Sequence, residues 1–496
     1  MRPSSAAGDP TWVRRTDVRL RPDPARVVGT LFLPGQELLA SGESRSSAVL
    51  GRVLGLSEAE VDAELAALSS SFAPRHRGLE ETWDAHFGLM RHRLVGAGQL
   101  AENRRRLIGA YFTQEYAVEA AALFNPSMVP HPDQSGLPAG ATRFVMTLRA
   151  VGDGHLSSME LRTGVIGADD AVSLDAAPQV GVLPVTRPAV YSRDAFQHRL
   201  DDLGGDRTNS DFVLGALPAT FDRHDLDRAL DDLRAQRLTR GAAVRTVDRF
   251  EWIADCTYRV EFPSGSTVAE RVLMPHGPSE SRGLEDVRMV RFTSPDAEAE
   301  YLGAYTGFDG RDVSMQLLRT RDFVRFSATP LSGPGARNKG LALFPRQVGG
   351  RYLAMSRADR ESNSVTESDD LLHWEEPVVV QRPEHPWELV QLGNCGPPIE
   401  TDRGWLVLTH GVGPMRTYGI GALLLDLDDP LRVVGRLATP MLTPAADERS
   451  GYVPNVVYSC GSMRHGGTLV VPYGCSDSTA RVALVDLDAL LEELRP

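Results

Sequence analysis

At 496 residues, with 42% hydrophobic and 24% charged side chains, the chain has room for two or three ordinary domains, or for one large β domain with an extension. A net charge of −13 offers no basic footprint for a phosphate backbone, which excludes nucleic acid as an expected partner. No run approaches the roughly 18 apolar residues of a membrane span, and the first residues carry Arg and Asp without an apolar core, so neither a membrane anchor nor a secretory leader is expected.

Four cysteines, Cys256, Cys395, Cys460 and Cys475, lack any CxxC spacing. They read as free buried thiols of a reducing cytoplasm, with no metal site. From about Glu43 to Leu123 the hydrophobic period is helical. Ser57-Glu58-Ala59-Glu60 has the form of a capping box, and Val61, Leu65 and Leu68 follow at helical spacing. A second helix is expected over Leu79 to Leu94 and a third from Ala101 to Leu123. The run Arg104-Arg105-Arg106 reads as a solvated helix face.

After Asn125 short apolar runs alternate with Gly, Pro, Asp and Asn, as in Phe144–Leu148, Leu341–Phe344, Val378–Val380 and Leu423–Leu425. That is an all-β rhythm of short strands and tight turns. A Gly turn leading into an apolar strand recurs at 350–355, 404–408 and 467–471, which suggests radial repetition, with a sandwich as the other possibility. Residues 193–240 read as a partly helical insertion, charged and helix-like from Asp222 to Leu238.

The sequence motifs come in a fixed order. Arg282-Gly283-Leu284-Glu285-Asp286 precedes Tyr305-Thr306-Gly307-Phe308-Asp309 and Asn338-Lys339-Gly340. Gly396-Pro397-Pro398, Thr409-His410-Gly411-Val412 and Gly451-Tyr452-Val453-Pro454-Asn455 follow. This set, from about Asn125 to the C-terminus, resembles glycoside hydrolase family 130, the inverting β-mannoside phosphorylases and β-mannosidases. The resemblance implies an all-β catalytic domain, a five-bladed β-propeller over 124–496, preceded by a largely helical N-terminal extension over 1–123.

Inverting cleavage needs a proton for the leaving oxygen and a nucleophile on the opposite ring face. The resemblance implies Asp286 as the catalytic acid, with Val287 standing where the family usually has Pro. A carboxyl that stays protonated near neutral pH needs burial or a like-charged neighbour, and Glu285 is the candidate neighbour. The same residues with Arg282 and Arg288 also fit a surface ion-pair cluster. Asn125, Arg149, Asp309 and Asp477 are the implied substrate-binding residues, each of which also fits a turn or cap.

Lys339, Arg357, Gln391 and His410 are the implied phosphate-binding residues, with inorganic phosphate as co-substrate and no cofactor. Gln391 stands where many phosphorylases have Lys, and Arg337 is a candidate to compensate. Hydrolysis is the competing reading. It needs a base that activates water, for which Glu361 and Glu400, then Glu367, are candidates. Trp405 and Tyr418 read as core aromatics before they read as sugar platforms. A non-catalytic propeller platform is the third class. The implied partners are a manno-oligosaccharide, phosphate and further copies of the chain, with no membrane.

Overall fold

The computed structural model describes residues 9–35, 44–94, 99–235, 240–294 and 297–495. The expected helix start at Glu43 and the helical reading at Leu238 lie outside the described residues. β-Structure dominates, joined by two groups of helices and a short helix at Leu487–Glu493. No helix among the described residues is long and apolar enough to cross a membrane.

The first helical group comprises α1 (Arg45–Leu54), α2 (Glu58–Phe72), α3 (Leu79–Met90) and α4 (Glu102–Tyr111). Ser57 and Glu60 close the capping box reciprocally at the start of α2. Leu50, Val53, Val61, Trp83, Phe87, Leu107 and Ile108 form a core of their own between these helices. α4 stops at Tyr111 and does not run on to Leu123. The Thr113 hydroxyl takes the Gly109 carbonyl at 2.8 Å, and Thr113–Ala117 then pairs as a strand with Val27–Leu31.

Arg104 is buried and not on a solvated face. Its guanidinium donates to the carbonyls of Val53 at 2.9 Å and Leu56 at 2.7 Å, and to Glu58 at 2.6 Å. It therefore satisfies carbonyls left over at the C-terminus of α1. Ahead of these helices Val13–Leu20 is a strand, which pairs antiparallel with Thr479–Asp486 near the other end of the chain. Arg26, on the turn that follows, meets Glu119, Glu160 and Arg162 in a buried charge quartet. Removing one member would strand a charge away from water.

Apart from a short pair, Tyr191–Ser192 with Thr220–Phe221, the remaining described strands fall into five antiparallel runs. The first is Ala122–Pro130, Thr142–Val151 and Ser157–Ile166, and the second begins Gly283–Ser294, Ala297–Phe308, Val313–Thr320 and Arg325–Pro330. One parallel bridge, Ser157 to Gly283, joins these two into a single sheet. The third run is Ala342–Leu343, Tyr352–Ser356, Asn363–Ser368 and Val378–Gln381. The fourth is Gln391–Asn394, Gly404–Val412, Tyr418–Leu425 and Val433–Arg436. The fifth is Val457–Tyr458, Thr468–Cys475 and Thr479–Asp486, with Val13–Leu20 on its outer edge. The fifth run returns to the first, for Leu123 N–H donates to the Ser478 carbonyl at 3.1 Å and Cys460 N–H to that of Pro126 at 2.9 Å.

The insertion is four helices, α5 (Arg193–Asp202), α6 (Arg207–Gly215), α7 (Arg223–Ala235) and α8 (Arg240–Cys256), so it extends past the expected end at 240. Phe196, Leu200, Val213, Leu226, Leu230 and Phe250 give it a separate core. All four cysteines are free and buried.

Candidate active site

Two β-bulges aim the central residues. The pairing of Ala122–Pro130 slips between Phe124 and Ser127, and that of Gly283–Ser294 slips between Glu285 and Arg288. Each slip leaves a non-glycine residue in the left-handed region, Asn125 at φ 49° and Asp286 at φ 53°. Asp477 does the same at φ 49° in the turn after Thr468–Cys475. Such backbone costs on the order of 1–3 kcal/mol per residue and persists only where surrounding structure enforces it. At these three residues the chain gives up stability for the geometry of the site.

The residues converge on a cavity of about 170 Å³. Asn125, Arg149, Asp286, Lys339, Arg357, Gln391, His410 and Asp477 all line it, together with Arg288, Arg416, Tyr418 and Tyr458. Asn125 Nδ2 donates to Asp286 Oδ1 at 2.8 Å, and Arg149 Nη1 lies 3.7 Å from the same oxygen. Arg149 Nη2 donates to Glu285 at 2.8 Å, and Lys339 Nζ donates to the other oxygen of Glu285. Arg288 is buried: it donates to the Asp286 carbonyl at 3.1 Å and to the Tyr458 hydroxyl at 2.5 Å. The surface ion-pair reading of 282–288 therefore does not describe this segment.

These contacts also replace the expected source of proton affinity at Asp286. Glu285 is paired with Arg149 and Lys339. Burial pushes the Asp286 pKa up, but Arg149, Arg288, the Asn125 amide and Lys339 together outweigh it and hold the carboxyl below its ordinary value. Asp477 behaves in the opposite way. Burial first, and then the charge of Asp286, push it up to about 6 against the pull of Arg149 and Arg416.

His410 sits between Tyr418 and Tyr458, its ring stacked at 5.9 Å on the first and tilted at 4.8 Å to the second. Its Nε2 accepts from Arg357 Nη1 at 3.2 Å, and Nδ1 donates to the Asn394 carbonyl at 3.3 Å. Burial, then Arg357 and Arg288, hold its pKa well below the usual histidine value, so the ring is neutral. Neither ring nitrogen is left to donate into the cavity; His410 instead orients Arg357. Gly393 makes room for this pair, since a Cβ there would meet His410 Cε1 at 2.3 Å and Arg357 Cδ at 3.1 Å.

Five expected residues lie elsewhere. Asp309 closes a turn by accepting the N–H groups of Arg311 at 2.8 Å and Asp312 at 2.7 Å, and lines a separate cavity beside Trp252 of α8. Glu400 is paired with Arg346 at 2.6 Å, and Glu367 lies 3.5 Å from Arg351. Glu361 is exposed, with its carbonyl bound by Leu392 N–H at 2.8 Å. None of these carboxylates lines the cavity, where Asp286 and Asp477 are the acidic residues. Arg337, the expected substitute for a missing lysine, is exposed and outside the lining. Trp405 is fully buried core, as expected for a strand-start aromatic, whereas Tyr418 reaches the cavity wall.

The family model described as beta-1,4-mannooligosaccharide phosphorylase matches residues 264–495. A 1,2-beta-oligomannan phosphorylase of Thermoanaerobacter sp. (strain X514) is 34% identical over 215 residues, covering 42% of this chain and 70% of that protein. A beta-1,2-mannobiose phosphorylase of the same strain is 35% identical over 222 residues, covering 43% of this chain and 70% of that protein. A beta-1,2-mannobiose phosphorylase of Listeria innocua is 30% identical over 231 residues, covering 45% and 63%.

Proposed function

The chain belongs to glycoside hydrolase family 130, and from that premise we propose that it is an inverting β-mannoside phosphorylase. A β-linked manno-oligosaccharide and inorganic phosphate give α-mannose 1-phosphate and a shortened acceptor. The three relatives above act, by name, on β-1,2-linked mannosides, which supports that linkage over the β-1,4 linkage in the description of the family model. The class is that of the glycosyl-transferring phosphorylases, EC 2.4.1.

The observation that carries this reading is the cavity's charge inventory. Five cationic side chains, Arg149, Arg288, Lys339, Arg357 and Arg416, stand with two carboxylates, while the bases that hydrolysis would need, Glu361 and Glu400, lie outside. Asp286 passes its proton to the leaving oxygen as the glycosidic C–O bond breaks. A phosphate oxygen forms the new bond to the anomeric carbon from the opposite face, which inverts the configuration. Asn125, Arg149 and Asp477 fix the hydroxyls of the mannose being transferred. The cations around Asp286 favour its carboxylate. A bound phosphate offsets the cations that hold it so, and the carboxyl can then take up the proton it delivers. No cofactor enters this scheme.

The five antiparallel runs, with the fifth returning to the first, support a five-bladed propeller closed by Val13–Leu20. On this reading 124–496 is the catalytic part and 1–123 an extension that lends its first strand to the last blade. Exposed Leu54, Leu89 and Tyr111 on the extension support a homo-oligomer, and four free thiols support a cytoplasmic location. The reverse reaction tests the activity. Supplied with α-mannose 1-phosphate and mannose, the protein is expected to release inorganic phosphate and form a β-linked disaccharide. Absence of phosphate release under those conditions would refute the proposal.

A further inference from the structure

The five cations of the cavity are not equally available to a phosphate. Arg149 and Lys339 share Glu285 between them. Arg288 is committed to the Asp286 carbonyl and the Tyr458 hydroxyl. Arg357 faces a neutral imidazole, not a carboxylate, and its Nε is buried without a partner. The Arg416 guanidinium lines the cavity and makes no hydrogen bond or ion pair with any described residue.

The backbone of Arg416 is unusual. It lies in the turn Pro414–Arg416, where Met415 at φ 58° and Arg416 at φ 53° are consecutive left-handed residues. The turn is closed by Gly413 N–H on the Thr417 carbonyl at 2.9 Å. Strain of this kind persists where it sets a side chain in place. The turn follows Val412 directly, and Val412 is the register partner of Gln391. A cation that feels the Asp477 charge but is hydrogen-bonded to no described carboxylate thus lines the same cavity as Gln391, the uncharged residue that stands where many phosphorylases have Lys.

Resting on the phosphorylase reading, we infer that Arg416 is a phosphate-binding residue, and that Arg416 and Arg357, with Gln391 as neutral donor, hold the co-substrate in place of the Lys339–His410 pair. An arginine fork can engage two phosphate oxygens at once, whereas Lys339 must first leave Glu285 and His410 has no free N–H.

The test is steady-state kinetics of the full chain with inorganic phosphate and β-1,2-mannobiose varied separately, for wild type, Arg416→Ala and Arg416→Lys. Arg416→Ala is expected to raise KM for phosphate by about 10–100-fold, the loss of a charged hydrogen-bond pair, while KM for the disaccharide stays within about twofold. Arg416→Lys is expected to recover part of the loss, and its retained charge covers the case in which the alanine variant is unstable. A phosphate KM unchanged in both variants, with phosphate-dependent wild type, overturns this inference alone. A rise confined to the KM for the disaccharide overturns it too, by placing Arg416 on the sugar. Wild-type turnover that ignores phosphate overturns the phosphorylase reading and this inference with it.

Discussion

Asp286→Asn is expected to lower kcat by about a thousandfold, the middle of the range for loss of a positioned proton donor. The replacement keeps shape and a hydrogen-bond acceptor, so Asn125 Nδ2 retains its 2.8 Å partner and the bulge at 285–288 its geometry. What is lost is the transferable proton. KM for the mannoside is therefore expected to change little, since an effect on kcat alone reports an interaction made in the transition state. Steady-state kinetics with near-ultraviolet circular dichroism as the folding control checks this. Retention of more than a tenth of wild-type turnover would move the acid role to Asp477, the other carboxyl of the cavity.

Asp477→Asn is expected to make the protein more stable and less active at once. Its folded pKa stands near 6 against an ordinary 3.8, so the folded state holds the proton more tightly than the unfolded chain. The sign follows from linkage: this group stabilises the fold fully below about pH 4, and its contribution is lost as pH rises through 6. Removing the charge restores roughly 2 kcal/mol at pH 8, after allowance for partial exposure. Melting curves of the two proteins should coincide near pH 4 and separate by about 2–4 °C at pH 8, with the variant higher. Activity should fall by about 10–100-fold in kcat/KM, because a charged acceptor for sugar hydroxyls has become a neutral amide. A variant less stable than wild type at pH 8 would show that Asp477 is held by favourable contacts and is not an uncompensated charge. The pair of outcomes would locate the same cost that the left-handed backbone at Asn125, Asp286 and Asp477 also records.

The sequence made the cavity partly legible. Asn125, Arg149, Asp286, Lys339, Arg357, Gln391, His410 and Asp477 were accessible because each sits in or beside a short motif that carries the family resemblance, and all eight line the cavity. Partnership was not accessible. That Glu285 pairs with Arg149 and Lys339, and that His410 gives one nitrogen to Arg357 and the other to the Asn394 carbonyl, depends on strands brought together from distant parts of the chain. Arg288 reads from sequence as a partner in a surface ion-pair cluster because the bulge after Glu285 resets the alternation of the strand, so period-two counting does not show which face it takes. Arg416 lies in a turn that looks like ordinary Gly-Pro punctuation, and its left-handed φ has no local signature. Val13–Leu20 was hidden for a topological reason: a lone edge strand with Arg14, Arg15, Asp17 and Arg19 carries little hydrophobic pattern, and its partner Thr479–Asp486 is at the opposite end of the chain. Asp309, Glu361 and Glu400 show the converse. Carboxylates in plausible motifs were spent on a turn, a solvent-facing loop and an ion pair.

The most direct test of the central claim is one proton NMR experiment on the purified full chain with β-1,2-mannobiose, run with and without inorganic phosphate. Phosphorolysis in this cavity predicts α-mannose 1-phosphate as the first product, formed only when phosphate is present. Free mannose released at the same rate without phosphate would contradict the account and make the protein a mannosidase whose base has yet to be found.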